Sequence, residues 1–407
     1  MKNFKCRACG SPEHEILLDL GQQPLANSLT KSPSPQEEKK IPLRLVICKK
    51  CKMLQISETV PPEELFTEYF YFSSFSDTML AHAAHAARMY IDEYHLNASS
   101  LIIEIASNDG YMLQNFIEEK IPVLGIEPAK NISEFACKKG IPTLNRFYSC
   151  VLAKELADGG QQADLILANN VFAHVPEIRD FVGGLKVLLK PNGTAVIEFP
   201  YARDMIELGE FDTIYHEHVF YFTLVSLVPL FHAFDLEIYD CQRIDIHGGS
   251  LRIFIGNKGC YEPRDNVRRL MENEYSHGLD KIDYYQNFAT RANQHKQTVI
   301  SLLKDLKSSG KKIAAYGASA KGSTLLNWYQ LGPDLIDYIV DRSPYKQGYF
   351  SPGMGIPILS PNELLKRMPD YILLLTWNFA NEIIKQQSEY SHKGGKFIIP
   401  IPHLTIR

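Results

Sequence analysis

From residue 100 onward, short apolar runs alternate with amphipathic stretches. Residues 101–105, 123–126, 165–168 and 195–199 are rich in Ile, Leu, Val and Ala, as strands buried on both faces must be. The first run ends in the turn Ala106-Ser107-Asn108-Asp109-Gly110, and a helix follows from Tyr111. Strand, turn, helix and strand at this rhythm predict an α/β fold with a doubly wound, Rossmann-like parallel sheet. Ligands in such a sheet lie beyond the carboxyl ends of the strands. Runs at 234–239 and 251–255 add two more strands. A charged, mostly helical region extends from 263 to about 309. A second α/β rhythm then begins, with strands at 313–316, 336–340, 371–375 and 397–401. Its first turn is Gly317-Ala318-Ser319-Ala320-Lys321-Gly322.

Upstream the pattern is different. Cys6-x-x-Cys9 and Cys48-x-x-Cys51 bracket a segment without the α/β rhythm. Two pairs of identical spacing point to four thiolates on one tetrahedral zinc ion, and redox dithiols are the competing reading. A cage of four thiolates leaves no open position, so this zinc is expected to be structural. Next comes Tyr69-Phe70-Tyr71-Phe72-Ser73-Ser74, followed by a helix over 79–94. Aromatics bunched in this way serve either as core or, with their hydroxyls, as a substrate wall. Three units result: a zinc segment at 1–68, a cofactor domain at 69–260 and a C-terminal α/β domain at 261–407.

Composition adds only exclusions. The chain has 407 residues, 45% hydrophobic and 22% charged, with a net charge of -4. This gives no reason to expect nucleic acid or an anionic membrane as partner. No apolar run reaches the length of a membrane span. Eight cysteines, half of them in CxxC pairs, suggest a reduced, cytoplasmic compartment and not a disulfide framework. A monomer or weak homodimer is expected.

The first α/β turn narrows the cofactor. A nicotinamide dinucleotide fingerprint needs G-x-G-x-x-G, whereas this turn has one glycine, Gly110. Glu104 ahead of the turn and Asp109 within it would repel a pyrophosphate but suit a cationic amino-acid moiety. S-adenosylmethionine is therefore the better fit. Its amino-acid end would lie in the loop from Ala106 to Gly110, and its ribose on Glu127, ahead of Pro128. Asn169 and Asn170 close the later strand at the same edge. In the C-terminal unit, Tyr316 ends the first strand, and Lys321 at a presumed helix N-terminus could hold a phosphate. A purely structural turn is the alternative.

Tyr215-His216-Glu217-His218 packs a phenol, two imidazoles and a carboxylate ahead of the apolar run 219–222. A carboxylate beside an imidazole can fix its tautomer and raise its basicity. Structural histidines and metal ligation compete with this reading, although the spacing is not HExxH.

Taken together, these motifs resemble the nucleotide-sugar C-methyltransferases of deoxysugar biosynthesis, including the C-3'-methyltransferase type, along essentially the whole chain. The resemblance rests on the four cysteines, Tyr69 to Ser74 (with Tyr71, Ser73 and Ser74), and Glu104-x-x-Ser107-Asn108-Asp109-Gly110. Asn169-Asn170-Val171-Phe172-Ala173-His174 and the Tyr215 to His218 stretch complete it. It implies an S-adenosylmethionine-dependent enzyme that methylates a carbon beside the ketone of a nucleotide-linked keto-deoxysugar. It also implies that His218 is the base, with Tyr215 and Glu217 beside it and His174 as a second active-site imidazole. Two alternatives remain open: a small-molecule O- or N-methyltransferase, and a nucleotide-sugar binding protein whose catalysis has lapsed.

Overall fold

The computed structural model describes residues 4–34, 38–66, 72–244 and 249–407. Three sheets organise them. The first is antiparallel, with strands His14–Pro24, Lys40–Cys48 and Leu54–Ile56 in order. Its fourth strand, Phe220–Tyr221, comes from just beyond the Tyr215 to His218 stretch and pairs with Leu54 and Gln55.

The central sheet has seven strands. Thr143–Leu144, Val123–Ile126, Ile102–Ile105, Ala163–Asn169 and Leu189–Pro200 run parallel in that spatial order. Ser250–Asn257 follows, antiparallel to both Leu189–Pro200 and the edge strand Leu236–Ile244. Ile102–Ile105 and Val123–Ile126 are buried throughout, which explains their unbroken apolar runs. Because Ile102–Ile105 lies between Val123–Ile126 and Ala163–Asn169, the crevice at their carboxyl ends is the topological switch point.

The third sheet repeats this logic. Ile313–Tyr316 sits between Ile339–Val340 and Tyr371–Leu374, with Ile358–Leu359 and Lys396–Ile399 outside them, all parallel. Thr405–Ile406 adds an antiparallel edge. Helices Asp265–His277 and Asp283–Ser308 fill the charged helical region. Among the described residues, no helix is long and apolar enough to cross a membrane.

The sheets meet at residues 210–218. Phe211 stacks on Tyr329 (ring centroids 5.2 Å apart) and packs against Trp328 (4.7 Å), both on the C-terminal helix Ala320–Tyr329. The N-terminal segment also reaches across, where Thr30 and Phe350 form an antiparallel bridge. Residues 210–218 thus lie where the N-terminal, central and C-terminal sheets come together.

Candidate active site and metal centre

Cys6, Cys9, Cys48 and Cys51 converge with their sulfurs within 4.8 Å of one another. The Cys6–Cys51 and Cys9–Cys48 sulfur distances are both 3.6 Å. A tetrahedron of zinc–sulfur bonds of about 2.3 Å puts sulfurs roughly 3.8 Å apart, so the thiolates fit the ion. Gln55, fully buried, donates from Nε2 to Cys6 Sγ at 3.1 Å, the kind of outer contact that orients a ligand.

The cofactor loop is built of strained backbone. Ala106, Asn108 and Gly110 all have positive φ. A side chain at Gly110 would fall 2.1 Å from Ile141 Cδ1. The coil folds the loop over Glu127, whose carboxylate accepts from the amides of Asn108 (3.0 Å) and Ala129 (2.9 Å). Each oxygen keeps a lone pair, so ribose hydroxyls can still be accepted. Burial pushes Glu127 up to about 7, against the pull of those two amides.

Several polar atoms around this loop are buried without hydrogen bonds: Glu104 Oε2, Ser107 Oγ and both Asp109 carboxylate oxygens. Lys139 Nζ, 3.5 Å from Asp109, is the nearby countercharge. Burial, then the charges of Glu127 and Asp109, pushes Glu104 well above the usual carboxylate range. Three acids crowded together against a single lysine leave an excess of acidic groups, which fits a sulfonium and an ammonium and disfavours a pyrophosphate. Ser73, buried, donates its amide to Asn108 Oδ1 at 2.9 Å, which brings it to the loop, while Ser74 beside it is half-buried. Pro128 is half-buried, and its carbonyl accepts from Asn145. Asn169 ends its strand, and Asn170, at positive φ, donates its amide to the Glu198 carbonyl. Tyr69 and Tyr71 lie outside the described residues. Phe172, expected at the cofactor, is fully buried, stacked on Phe222 (4.8 Å) and packed against Phe181 (5.2 Å), and it supports the Asn170 to His174 turn.

At the centre, His218 Nδ1 lies 3.0 Å from the Thr213 carbonyl and Nε2 lies 2.7 Å from Tyr215 Oη. A carbonyl only accepts, so Nδ1 carries the proton. In the neutral ring, Nε2 then accepts from the Tyr215 hydroxyl. His174 stands edge-on to His218, ring centroids 4.8 Å apart. Burial pulls His174 down to about 4, against the Glu217 and Asn170 backbone groups, so its ring is neutral at pH 7.

Two expectations need correction. Glu217 was expected to orient an imidazole, but its carboxylate instead accepts from Asn27 Nδ2 at 2.7 and 2.9 Å. Burial pushes it up to about 7, with Asn27 opposing. The Thr213 carbonyl performs the orienting, and no side-chain pattern could have announced a backbone atom. His216 is buried, with Nε2 on the Pro42 carbonyl at 3.4 Å, a structural position. Lys321 was expected to hold a phosphate. Its ammonium is buried 4.7 Å over the Trp377 ring, with Glu210 and Asp212 as countercharges. The turn before it is closed to anions too, because Ala318 donates its amide to Asp341 at 2.8 Å. Tyr316 ends its strand nearby, 4% exposed.

Three buried acids at the switch point, below a parallel sheet with one antiparallel insertion, are the frame of an S-adenosylmethionine-dependent methyltransferase. Family models agree, matching a zinc binding domain over residues 6–66, a methyltransferase domain over 79–240 and a C-methyltransferase C-terminal domain over 245–402. The chain is 34% identical to C-methyltransferase NovU of Streptomyces niveus across 98% of its own length and 95% of that protein. It therefore belongs to this C-methyltransferase family. The ubiquinone biosynthesis O-methyltransferase of Rhodopseudomonas palustris is 29% identical over 26% of this chain and 44% of that protein. Among solved structures, the magnesium protoporphyrin IX methyltransferase of Synechocystis with bound S-adenosylmethionine covers 44% of this chain and 79% of its own. Its TM-score is 0.34 at 11% identity.

Proposed function

We propose that this C-methyltransferase acts on a nucleotide-linked keto-deoxysugar, carried on thymidine diphosphate, and methylates C-3' beside a 4'-ketone. The reading is supported by the resemblance to the sugar enzymes together with one observation, the chain from Thr213 through His218 to Tyr215. A sugar carbon is not acidic unless a ketone adjoins it, so the site needs a base and a donor to the enolate oxygen. His218 Nε2 is the proton acceptor. Tyr215 already donates to it, so either the phenol yields its place and Nε2 takes the substrate proton, or the phenol oxygen takes that proton while passing its own to Nε2. His174, neutral and edge-on, is the donor to the oxyanion. When bound, S-adenosylmethionine supplies the methyl group from its sulfonium. The buried acids around residues 104–127 hold that cation, and the loop orients it behind the carbon.

The test is a turnover screen of purified protein against nucleotide-linked keto-deoxysugars, read by a mass gain of one methyl group. A sugar that turns over is then incubated in deuterated water with S-adenosylhomocysteine. Wild type is expected to exchange the proton beside the ketone and His218→Asn is not, with methylation reduced about a hundred- to ten-thousandfold. Near wild-type methylation by His218→Asn removes His218 as the base.

A further inference from the structure

We propose that the buried pair Asp212 and Trp377 is a positioning device through which the C-terminal sheet sets the tautomer of His218. The inference rests on the reading of His218 as the base, and it makes Asp212 and Trp377 positioning residues.

Asp212 has no solvent exposure and lies inside the turn Phe211–Thr213. Its Oδ2 accepts from Trp377 Nε1 at 2.6 Å. Trp377 opens the turn Trp377–Phe379, just beyond the strand Tyr371–Leu374. The residue after Asp212 is Thr213, whose carbonyl accepts from His218 Nδ1 at 3.0 Å. On the other side, Thr324 of helix Ala320–Tyr329 donates its hydroxyl to the Ile214 carbonyl at 3.1 Å. The backbone is therefore pinned from the C-terminal unit on both sides of the one carbonyl that orients the histidine. The charged groups facing Asp212 are Lys321, which rides over the Trp377 ring, and Glu210.

The orientation of that carbonyl has a chemical consequence. Aimed at Nδ1, it is satisfied only when Nδ1 bears the proton, which leaves the Nε2 lone pair facing Tyr215. Turned away, it makes the Nε2–H tautomer accessible, and that tautomer has no lone pair at the reacting face. A docking contact with no further role would leave the tautomer indifferent to Trp377.

The test uses zinc-loaded, full-length protein with 15N-labelled histidine, in which long-range proton–nitrogen correlations separate the two tautomers. His218→Asn assigns the signals by their loss. In wild type His218 is expected wholly as Nδ1–H. Trp377→Phe keeps an aromatic ring and loses the donor, and is expected to show the Nε2–H form. On the keto sugar found by the screen, kcat should fall on the order of ten- to a hundredfold at unchanged KM. Asp212→Asn can still accept from Trp377 through its amide oxygen, and is expected to keep the wild-type tautomer. A folded Trp377→Phe protein with His218 still entirely Nδ1–H overturns the proposal. If that protein does not fold, Thr324→Val removes the other pin, and an unchanged tautomer there has the same force. Should His218→Asn methylate near the wild-type rate, the base reading falls, and the tautomer result is judged separately.

Discussion

Glu127 shows how a single carboxyl can tie cofactor binding to pH. Burial pushes it up to about 7, so below that pH the pocket carries an extra proton. On the proposed placement of the ribose at Glu127, S-adenosylmethionine needs the ionised form, both for its hydroxyls and for its positive charge. Affinity should rise as pH climbs from 6 to 8, with protons released on binding. Calorimetry in two buffers of different ionisation enthalpy checks this, and flat affinity without proton release refutes it. Glu127→Ala should bind the cofactor much more weakly with zinc content unchanged. The sign for stability is opposite. Glu127 is raised above its ordinary 4.5, so its favourable contribution is complete below that value and lost as pH rises through about 7. The acids were legible in the sequence because their spacing around a strand end is local. Asn27 as the partner of Glu217 was not, because the contact joins distant parts of the chain.

At the scale of elements, the parallel strands declared themselves by continuous apolar runs. The N-terminal strands did not. His14–Pro24 buries only some of its residues, in a pattern broken by two register shifts, so neither a clean alternation nor a solid apolar run marks it. The cofactor turn offers a sharp test of its own. Gly110 has φ +78°, and an added Cβ would collide with Ile141. Gly110→Ala should cost roughly 1–3 kcal/mol of stability and weaken S-adenosylmethionine binding, as read by thermal unfolding with and without the cofactor. Wild-type values for both would mean that the loop relaxes freely. The C-terminal turn was correctly legible as a turn, with Gly317 at φ +94° and Ser319 capping Gly322. The partners of Lys321 were hidden because Glu210 and Asp212 belong to another unit.

Across the whole molecule, the zinc centre and the Tyr215 to His218 stretch form one mechanical unit. Gln55 bonds the Cys6 sulfur, and its strand pairs with Phe220, while the Ile56 amide donates to the carbonyl of Val219, next to His218. Chelating the zinc should therefore lower both the unfolding temperature and the methylation rate, and added zinc should restore both. Activity that persists in metal-free protein, confirmed by metal analysis, contradicts the coupling. Asn27→Ala tests the second link. It leaves Glu217 buried without that donor, for a loss of about 1–3 kcal/mol, measurable by urea unfolding.

The borrowed strand Phe220–Tyr221 also sets an order of events during synthesis. The cysteines can capture zinc soon after Cys51 leaves the ribosome, but the edge of Leu54–Ile56 has no partner until residue 221 has followed. At roughly 5–20 residues per second, that edge stays open for on the order of ten seconds. An unpaired edge invites pairing with another nascent chain. The newborn chain is therefore exposed to aggregation after its metal is in place and until the strand Phe220–Tyr221 has been made.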